Sequence, residues 1–266
     1  MGDEGYLLDN RSDGAADRLV ALGTLFDPGT CRRVEALGIR PGWRCWEVGA
    51  GGGAVARWLA ARVGATGRVL ATDIEVSAAL ADDPAVEIRR HDVGRDGPPG
   101  ESFDLVHARL VLVHVVGRDQ ALRTMVEALR PGGWLLVEDA DPALQPLSVI
   151  DPRGPADELA NRIRAGFREL LADRGADLAY GRTLPRRLRE AGLTDVAADA
   201  YFPVTMPACA VLEAATVAMV GDDLVAHGVV GAEEIEVHLA NVVAGRVDLA
   251  QPPLVAAWGR RPEGRT

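Results

Sequence analysis

The chain has 266 residues, a formal net charge of -10 and 26% charged residues. That excess of acid argues against a nucleic-acid phosphate backbone as the main partner, because such binding rests on neutralising basic side chains. It contains no lysine, which excludes a Schiff-base lysine and the phosphate-binding P-loop lysine together.

Met1–Asp13 is polar and glycine-bearing. Ala15–Phe26 places Leu19, Leu22, Leu25 and Phe26 at helical spacing, and Asp27-Pro28-Gly29 ends the helix. Cys31–Leu37 is a second short helix, closed by Gly38. Cys45–Val48 then reads as a buried strand, Gly49–Gly53 as a turn with almost no side chain, and Ala54–Arg62 as a helix. Further strands follow at Arg68–Thr72, Val86–Arg90, Phe103–His107 and Trp134–Val137. Between them lie helices at Val76–Leu80 and Asp119–Leu129, the second stopped by Arg130-Pro131-Gly132-Gly133. Strands alternating with helices argue for a parallel sheet.

Beyond Asp139 the rhythm changes. A proline-rich stretch over 140–155 precedes helices at Ala156–Ala172 and Leu184–Ala191. A strand at Val196–Val204, helices at Val211–Val220 and Glu233–Val243, and a last strand at Val255–Gly259 complete the chain. The late helices have the composition of a cap over a substrate, with apolar Leu170, Leu171, Val211, Leu212, Val217 and Met219. The same residues serve equally as the cap's own core or as a dimer surface.

A strand, a glycine turn and a helix bring a backbone close to a nucleotide-like ligand, since glycine tolerates positive φ and close approach. Read as Gly49-x-Gly51-x-x-Ala54, the turn fits the dinucleotide fingerprint, with Asp73 near the place of a ribose-binding acid. Three features pull the other way: Glu47 two residues before the first glycine, the G-x-G-x-G run, and Asp92 after the third strand. A nicotinamide oxidoreductase of the Tyr-x-x-x-Lys kind is excluded by the missing lysine.

The set EVGAGGG, VLATDIE, IRRHDV, SFDLVHARLVLVH and LRPGGWLLVED, over residues 40–140, resembles the class I S-adenosylmethionine-dependent methyltransferases. Among these it is most similar to the small-molecule enzymes of the ubiquinone-biosynthesis and bacterial secondary-metabolite type. The resemblance implies an α/β, Rossmann-like fold: a seven-stranded, mostly parallel sheet of order 3-2-1-4-5-7-6 with strand 7 antiparallel, flanked by helices. It implies an N-terminal helical segment (residues 1–38) covering the cofactor site, with ordinary packing of that segment an equal reading. The methyltransferase domain follows over 39–266, with cap helices inserted within about 140–180 and 205–245.

S-adenosylmethionine is then the expected cofactor, leaving as S-adenosylhomocysteine. The resemblance assigns Glu47, Gly49, Ala50, Gly51, Gly53, Asp73, Ile74, Asp92, Val93 and Arg109 to it. Asp73 would accept from the ribose diol and Asp92 from the adenine amino group. Glu47 would orient the loop or the ammonium group, and Arg109 would meet the ligand carboxylate. A strand-end Asp serves equally as a cap or turn residue, and Arg109 equally as half of a structural ion pair.

The acceptor is expected to be a small, apolar or aromatic molecule methylated at O, N or C. Candidate catalytic groups are His114 and Asp139; His107 is a weaker candidate, since a lone His in an apolar stretch is more often packed. Tyr6, Tyr180 and His227 are candidate acceptor contacts. No histidine pair or acidic cluster has metal-ligand spacing, so no metal is expected. The acidic N-terminus is not a secretory signal, no apolar run approaches the ~18 residues of a membrane span, and Cys31, Cys45 and Cys209 lack CxxC spacing. These point to a cytoplasmic enzyme free of membrane, with a homodimer as one possible assembly. Two rivals remain: an NAD(P)-dependent oxidoreductase, and a non-methylating protein of the same fold holding the cofactor as structure.

Overall fold

The computed structural model describes residues 7–8, 14–75 and 84–263. Two compact units divide the chain. The larger comprises residues 27–140, 179–201 and the chain from 254 onward; the smaller comprises residues up to 26, 141–178 and 202–253.

The larger unit holds the whole sheet. Its strands are β1 (Arg44–Val48), β2 (Arg68–Asp73), β3 (Val86–Arg90), β4 (Phe103–Arg109), β5 (Leu129–Ala140), β6 (Thr194–Tyr201) and β7 (Leu254–Arg260). Their order is β3-β2-β1-β4-β5-β7-β6, parallel except for β7, which runs antiparallel to both β5 and β6. The fold expected from the motifs is therefore the fold observed.

The two-residue period of the strands divides the side chains between two faces. Cys45, Leu105, Leu136 and Ala256 join Val55, Leu59 and Val63 of α2 (Ala54–Val63) on one face. Trp46, Val106, Leu135 and Val137 take the other, against Leu122 and Met125 of α3 (Arg118–Ala128). Tyr180, Leu184 and Leu188 pack on that second face too. Trp46 is fully buried and its indole N–H donates to Thr72 Oγ1 at 2.9 Å, so its one polar atom is satisfied.

Three boundaries differ from the sequence reading. One helix, α1 (Ala15–Ala36), runs through Pro28 where two helices were expected. Propensity alone forbids this, since an interior proline costs about 3 kcal/mol. What favours it is long-range: Thr30 and Arg33 donate to Glu138, and Asp27 accepts from Arg109. β5 begins at Leu129, so Arg130–Gly133 extends the strand instead of forming a separate stop. A side chain at Gly133 would meet the Phe103 carbonyl oxygen at 2.8 Å, which is why the neighbouring strand can lie there. β6 ends at Tyr201, and Val204 forms only an isolated bridge with Ala250. The helix expected over Val76–Leu80 lies outside the described residues.

The smaller unit is helical. It contains α4 (Pro155–Asp173), α6 (Pro207–Ala226) and α7 (Ala232–Val243); the short α5 (Leu184–Glu190) belongs to the sheet unit. Leu159, Ile163, Leu170, Leu171, Val217, Val220, Leu224 and Ile235 make its core. Gly166 lets α4 approach closely, for a side chain there would meet Val229 at 2.5 Å and Leu224 at 3.0 Å. A buried ion pair crosses the interior: Arg164 donates to Glu213 at 2.9 Å, and His238 Nε2 lies 3.1 Å from the other Glu213 oxygen.

All three cysteines are free, Cys45 in β1 and Cys209 in α6 fully buried and Cys31 half-buried. Burial pushes every one of the thiols up, Cys31 to about 11. Among the described residues no helix is long and apolar enough to cross a membrane.

Candidate active site at the carboxyl ends of the strands

β1 ends at Val48 and the chain turns back over the next strand. Gly49 and Ala50 donate their N–H groups to the Thr72 carbonyl of β2, at 2.8 and 3.0 Å. Gly49, Gly51 and Gly53 have φ of +67°, +50° and +76°, left-handed values that an L side chain rarely adopts. Gly53 closes the loop through its N–H to Ala50 and opens α2.

Asp73 ends β2 beneath this loop. Its Oδ2 accepts the Gly51 N–H at 2.9 Å and its Oδ1 accepts the Glu75 N–H at 3.2 Å. An ionised carboxylate has about four acceptor positions, so about two are left for a ligand. A neutral diol suits them; a phosphate does not. Asp92 follows β3 and does turn work as well: its Oδ1 accepts the Gly94 N–H at 2.9 Å, and Arg95 Nε lies 3.6 Å from its Oδ2. Ile74 is exposed and Val93 buried against the sheet.

Register explains the next group. Glu47 pairs with His107 across β1 and β4, and Arg109 pairs with Glu138 across β4 and β5. Glu47, His107 and Glu138 thereby share the face that carries Cys45, Leu105 and Leu136. His107 is fully buried there, Nδ1 2.6 Å from Glu47 Oε2 and Nε2 3.2 Å from Glu138 Oε2. Burial pulls its pKa down, and the two carboxylates outweigh burial and raise it to about 9. Glu138, desolvated but gripped by His107, Arg109 and Thr30, lies below the usual carboxylate range. Arg33 spans Glu138 at 2.8 Å and Asp199 of β6 at 2.6 Å. Arg109 spends its guanidinium on Asp27 at 2.6 Å and Thr30 at 3.0 Å. Glu47 and Arg109 thus lie in the framework under the site.

Asp139 goes to the opposite face, as the residue after Glu138 must. It is fully buried, and neither oxygen has a hydrogen bond of normal geometry. Burial raises its pKa to about 8, against the pull of the Val111, Leu112 and Val113 N–H groups. His114 is half-buried in the same turn, its N–H on the Val111 carbonyl at 3.0 Å. Tyr180 is fully buried on this face, its hydroxyl unpartnered, its ring under Arg187 at 4.9 Å and Arg118 at 5.7 Å.

The structure therefore gathers Gly49–Gly53, Asp73, Asp92, His114 and Asp139 at the carboxyl ends of one sheet, while His227 belongs to the other unit. His227 is exposed at the end of α6, its Nδ1 2.8 Å from the Asp223 carbonyl. Tyr6 lies outside the described residues. Of the apolar residues expected to line a cap, Leu170, Leu171 and Val217 are consumed by the unit's own core and Val211 is exposed. Thr30, Arg33 and Val111 were not singled out from the sequence, and Asp27 was read only as part of a helix stop. Nothing local marks their roles, because each matters through a partner distant in the sequence.

Residues 46–135 match the family described as "Methyltransferase domain". The ubiquinone/menaquinone biosynthesis C-methyltransferase of Laribacter hongkongensis is 33% identical over 124 residues, 44% of this chain and 51% of that protein. Methyltransferase GfsG of Streptomyces halstedii is 31% identical over 192 residues, 67% of this chain and 65% of that protein. Among solved structures, phosphoethanolamine N-methyltransferase 2 of Haemonchus contortus, in complex with phosphomonomethylethanolamine and S-adenosylhomocysteine, aligns with a TM-score of 0.60 at 16% identity. That alignment covers 99% of this chain and 62% of that one. The chain thus spans about half to two thirds of the length of these proteins.

Proposed function

We infer, for a chain whose residues 46–135 match a methyltransferase-domain family and whose sheet has the order β3-β2-β1-β4-β5-β7-β6, a class I S-adenosylmethionine-dependent methyltransferase acting at O, N or C of a small, apolar or aromatic acceptor. One observation carries the cofactor reading. Three left-handed glycines bring the backbone over a strand-end carboxylate that holds the loop with one oxygen and keeps acceptor capacity for a diol. S-adenosylmethionine, when bound, supplies an electrophilic methyl group.

The chain's own residues then hold and orient. Gly49, Ala50, Gly51 and Gly53 admit the methionine and ribose parts, and Asp73 accepts from the ribose 2′,3′-diol. Asp92 accepts from the adenine amino group through its free acceptor positions, with Ile74 and Val93 beside the ring. Glu47 and Arg109 fix the strand ends from below. His114 is the candidate base for an acceptor that must lose a proton. Its place in the turn after β4, where loops meet ligand in doubly wound sheets, supports that role.

The quinone-pathway C-methyltransferase among the relatives supports an apolar, ring-bearing acceptor. The net charge of -10 supports a partner other than nucleic acid. Calorimetry and thermal shift test the cofactor: S-adenosylhomocysteine should stabilise the protein by about 2.7 kcal/mol at a hundred times its Kd. Stabilisation by a nicotinamide dinucleotide instead would refute the reading. An acceptor library read for a gain of about 14 Da then separates a methyltransferase from a protein that keeps the cofactor as structure.

A further inference from the structure

β5 ends on two acids with opposite fates. Glu138 is answered by His107, Arg33 and Thr30. Asp139, one residue on, is fully buried with both oxygens unpartnered, and the Tyr180 hydroxyl on its face is unpartnered as well.

What faces Asp139 is the turn after β4. Leu110 enters it at φ +57°, a left-handed value unusual for a branched side chain. The Leu110 N–H is anchored on the Glu138 carbonyl at 2.8 Å, and the next three N–H groups, of Val111, Leu112 and Val113, favour the charged form of the Asp139 carboxyl without closing a hydrogen bond of normal geometry. Successive N–H groups of this kind form an anion-receiving concavity. Arg118 closes the far side, its Nε on the Leu112 carbonyl at 3.4 Å. Tyr180 feels the charge of Asp139 and those of Arg187 of α5 and Asp119 of α3, and His114 lies in the turn itself.

The turn leads to the glycine loop. A Cβ built on Gly49 would lie 2.3 Å from Val111 Cγ2, so Val111 rests directly on the first glycine.

We propose that Asp139 is a positioning residue for the glycine loop: its carboxylate gathers the N–H groups of Val111–Val113, seats Val111 on Gly49, and so sets where the loop backbone stands. It acts through Val111 and touches neither cofactor nor acceptor. The role rests on the cofactor reading above. A charged carboxylate grips N–H donors more strongly than a neutral one, so the grip tightens as Asp139 loses its proton, with a pKa near 8.

The test compares wild type, Asp139→Asn and Val111→Ala in calorimetric titrations with S-adenosylhomocysteine from about pH 6.5 to 9.5. The ligand's own α-amine titrates in this range in all three proteins, so the difference between them carries the result. Asp139→Asn is expected to bind about 5–30-fold more weakly at the alkaline end, the factor one or two lost hydrogen bonds carry, and nearly as well as wild type at the acid end. Val111→Ala should show the same flattened profile while its melting temperature still follows the titration of Asp139. Superimposable profiles for wild type and Asp139→Asn overturn the proposal, and so does a wild-type profile in Val111→Ala. If Asp139→Asn does not fold, Val111→Ala decides. Amide exchange of Val111–Val113 in the ligand-free protein reads the grip separately. A pH-dependent grip in a protein that binds no S-adenosylhomocysteine refutes the cofactor reading, whereas tight binding without any such grip refutes this one.

Discussion

At the scale of single residues, the site depends on what each acid is already doing. Asp73 holds Gly51 and Glu75 with two of its acceptor positions, so truncation removes a loop support and a ligand acceptor together. Asp73→Ala is expected to weaken S-adenosylhomocysteine binding by about 1–3 kcal/mol, the range for one partner lost from a buried hydrogen bond. Unchanged affinity in calorimetry would place the ribose elsewhere. His107 is a cation locked between two carboxylates. Replacing it by Gln leaves buried negative charge uncompensated and should cost about 3–5 kcal/mol in urea unfolding near pH 6.5. The sign follows from the shift: its folded pKa, about 9, lies above the ordinary 6.5. Its stabilisation is complete below pH 6.5 and disappears as pH rises through 9. The difference between His107→Gln and wild type should therefore shrink above pH 9; a pH-independent difference would show that the ring is neutral.

Among the elements, two glycines leave no room for a side chain, one in a turn and one inside a helix. Gly49 ends β1 at φ +67° against Val111. Gly49→Ala should cost about 1–2 kcal/mol for the left-handed backbone alone and displace the loop besides. Adding Val111→Ala should recover part of the lost affinity for S-adenosylhomocysteine, and a double variant no better than the single one would deny the contact. Gly29 lies inside α1, where alanine is normally better by about 1 kcal/mol. Here a Cβ would lie 2.8 Å from Arg33 Nη1, and that guanidinium is already committed to Glu138 and Asp199. Gly29→Ala is therefore expected to lower the melting temperature; a rise would mean that Arg33 moves freely. The same helix shows where local sequence misleads. Pro28 reads as a stop, and only Glu138, more than 100 residues later, reveals why the helix continues.

For the whole molecule, the sheet was legible because alternating strands and helices, with glycines after β1, constrain the topology strongly. The strand ends Asp73 and Asp92 were legible for the same reason. The faces of the other acids were not. Glu138 and Asp139 are neighbours in sequence, and only their place in the strand period sends one to a cation and the other into an unpartnered pocket. The turn at Leu110 was hidden as well, since Leu110–Val113 is uniformly apolar and its left-handed residue is not a glycine. These buried groups set a pH trend together. Glu138 and Glu213 lie below their ordinary range, so their contribution is lost as pH falls. Asp139, raised from 3.8 to about 8, is favoured neutral, and its contribution is lost as pH rises between those values. His107 adds a further loss through 9. Stability should peak toward the acid end of the usual range of about pH 5–8 and fall steadily to pH 9. Scanning calorimetry across that range checks this, and a maximum at pH 8 or above would contradict it.

The thiols give this chain an internal clock. Cys45 belongs to the sheet unit and Cys209 to the helical unit; both are sealed and held protonated. An alkylating reagent must therefore wait for β1 or α6 to open. A timed pulse followed by peptide mass mapping assigns each unit its own opening rate, with no engineered label. Equal rates mean that the units are lost as one cooperative body; separated rates mean that one opens while the other stays closed.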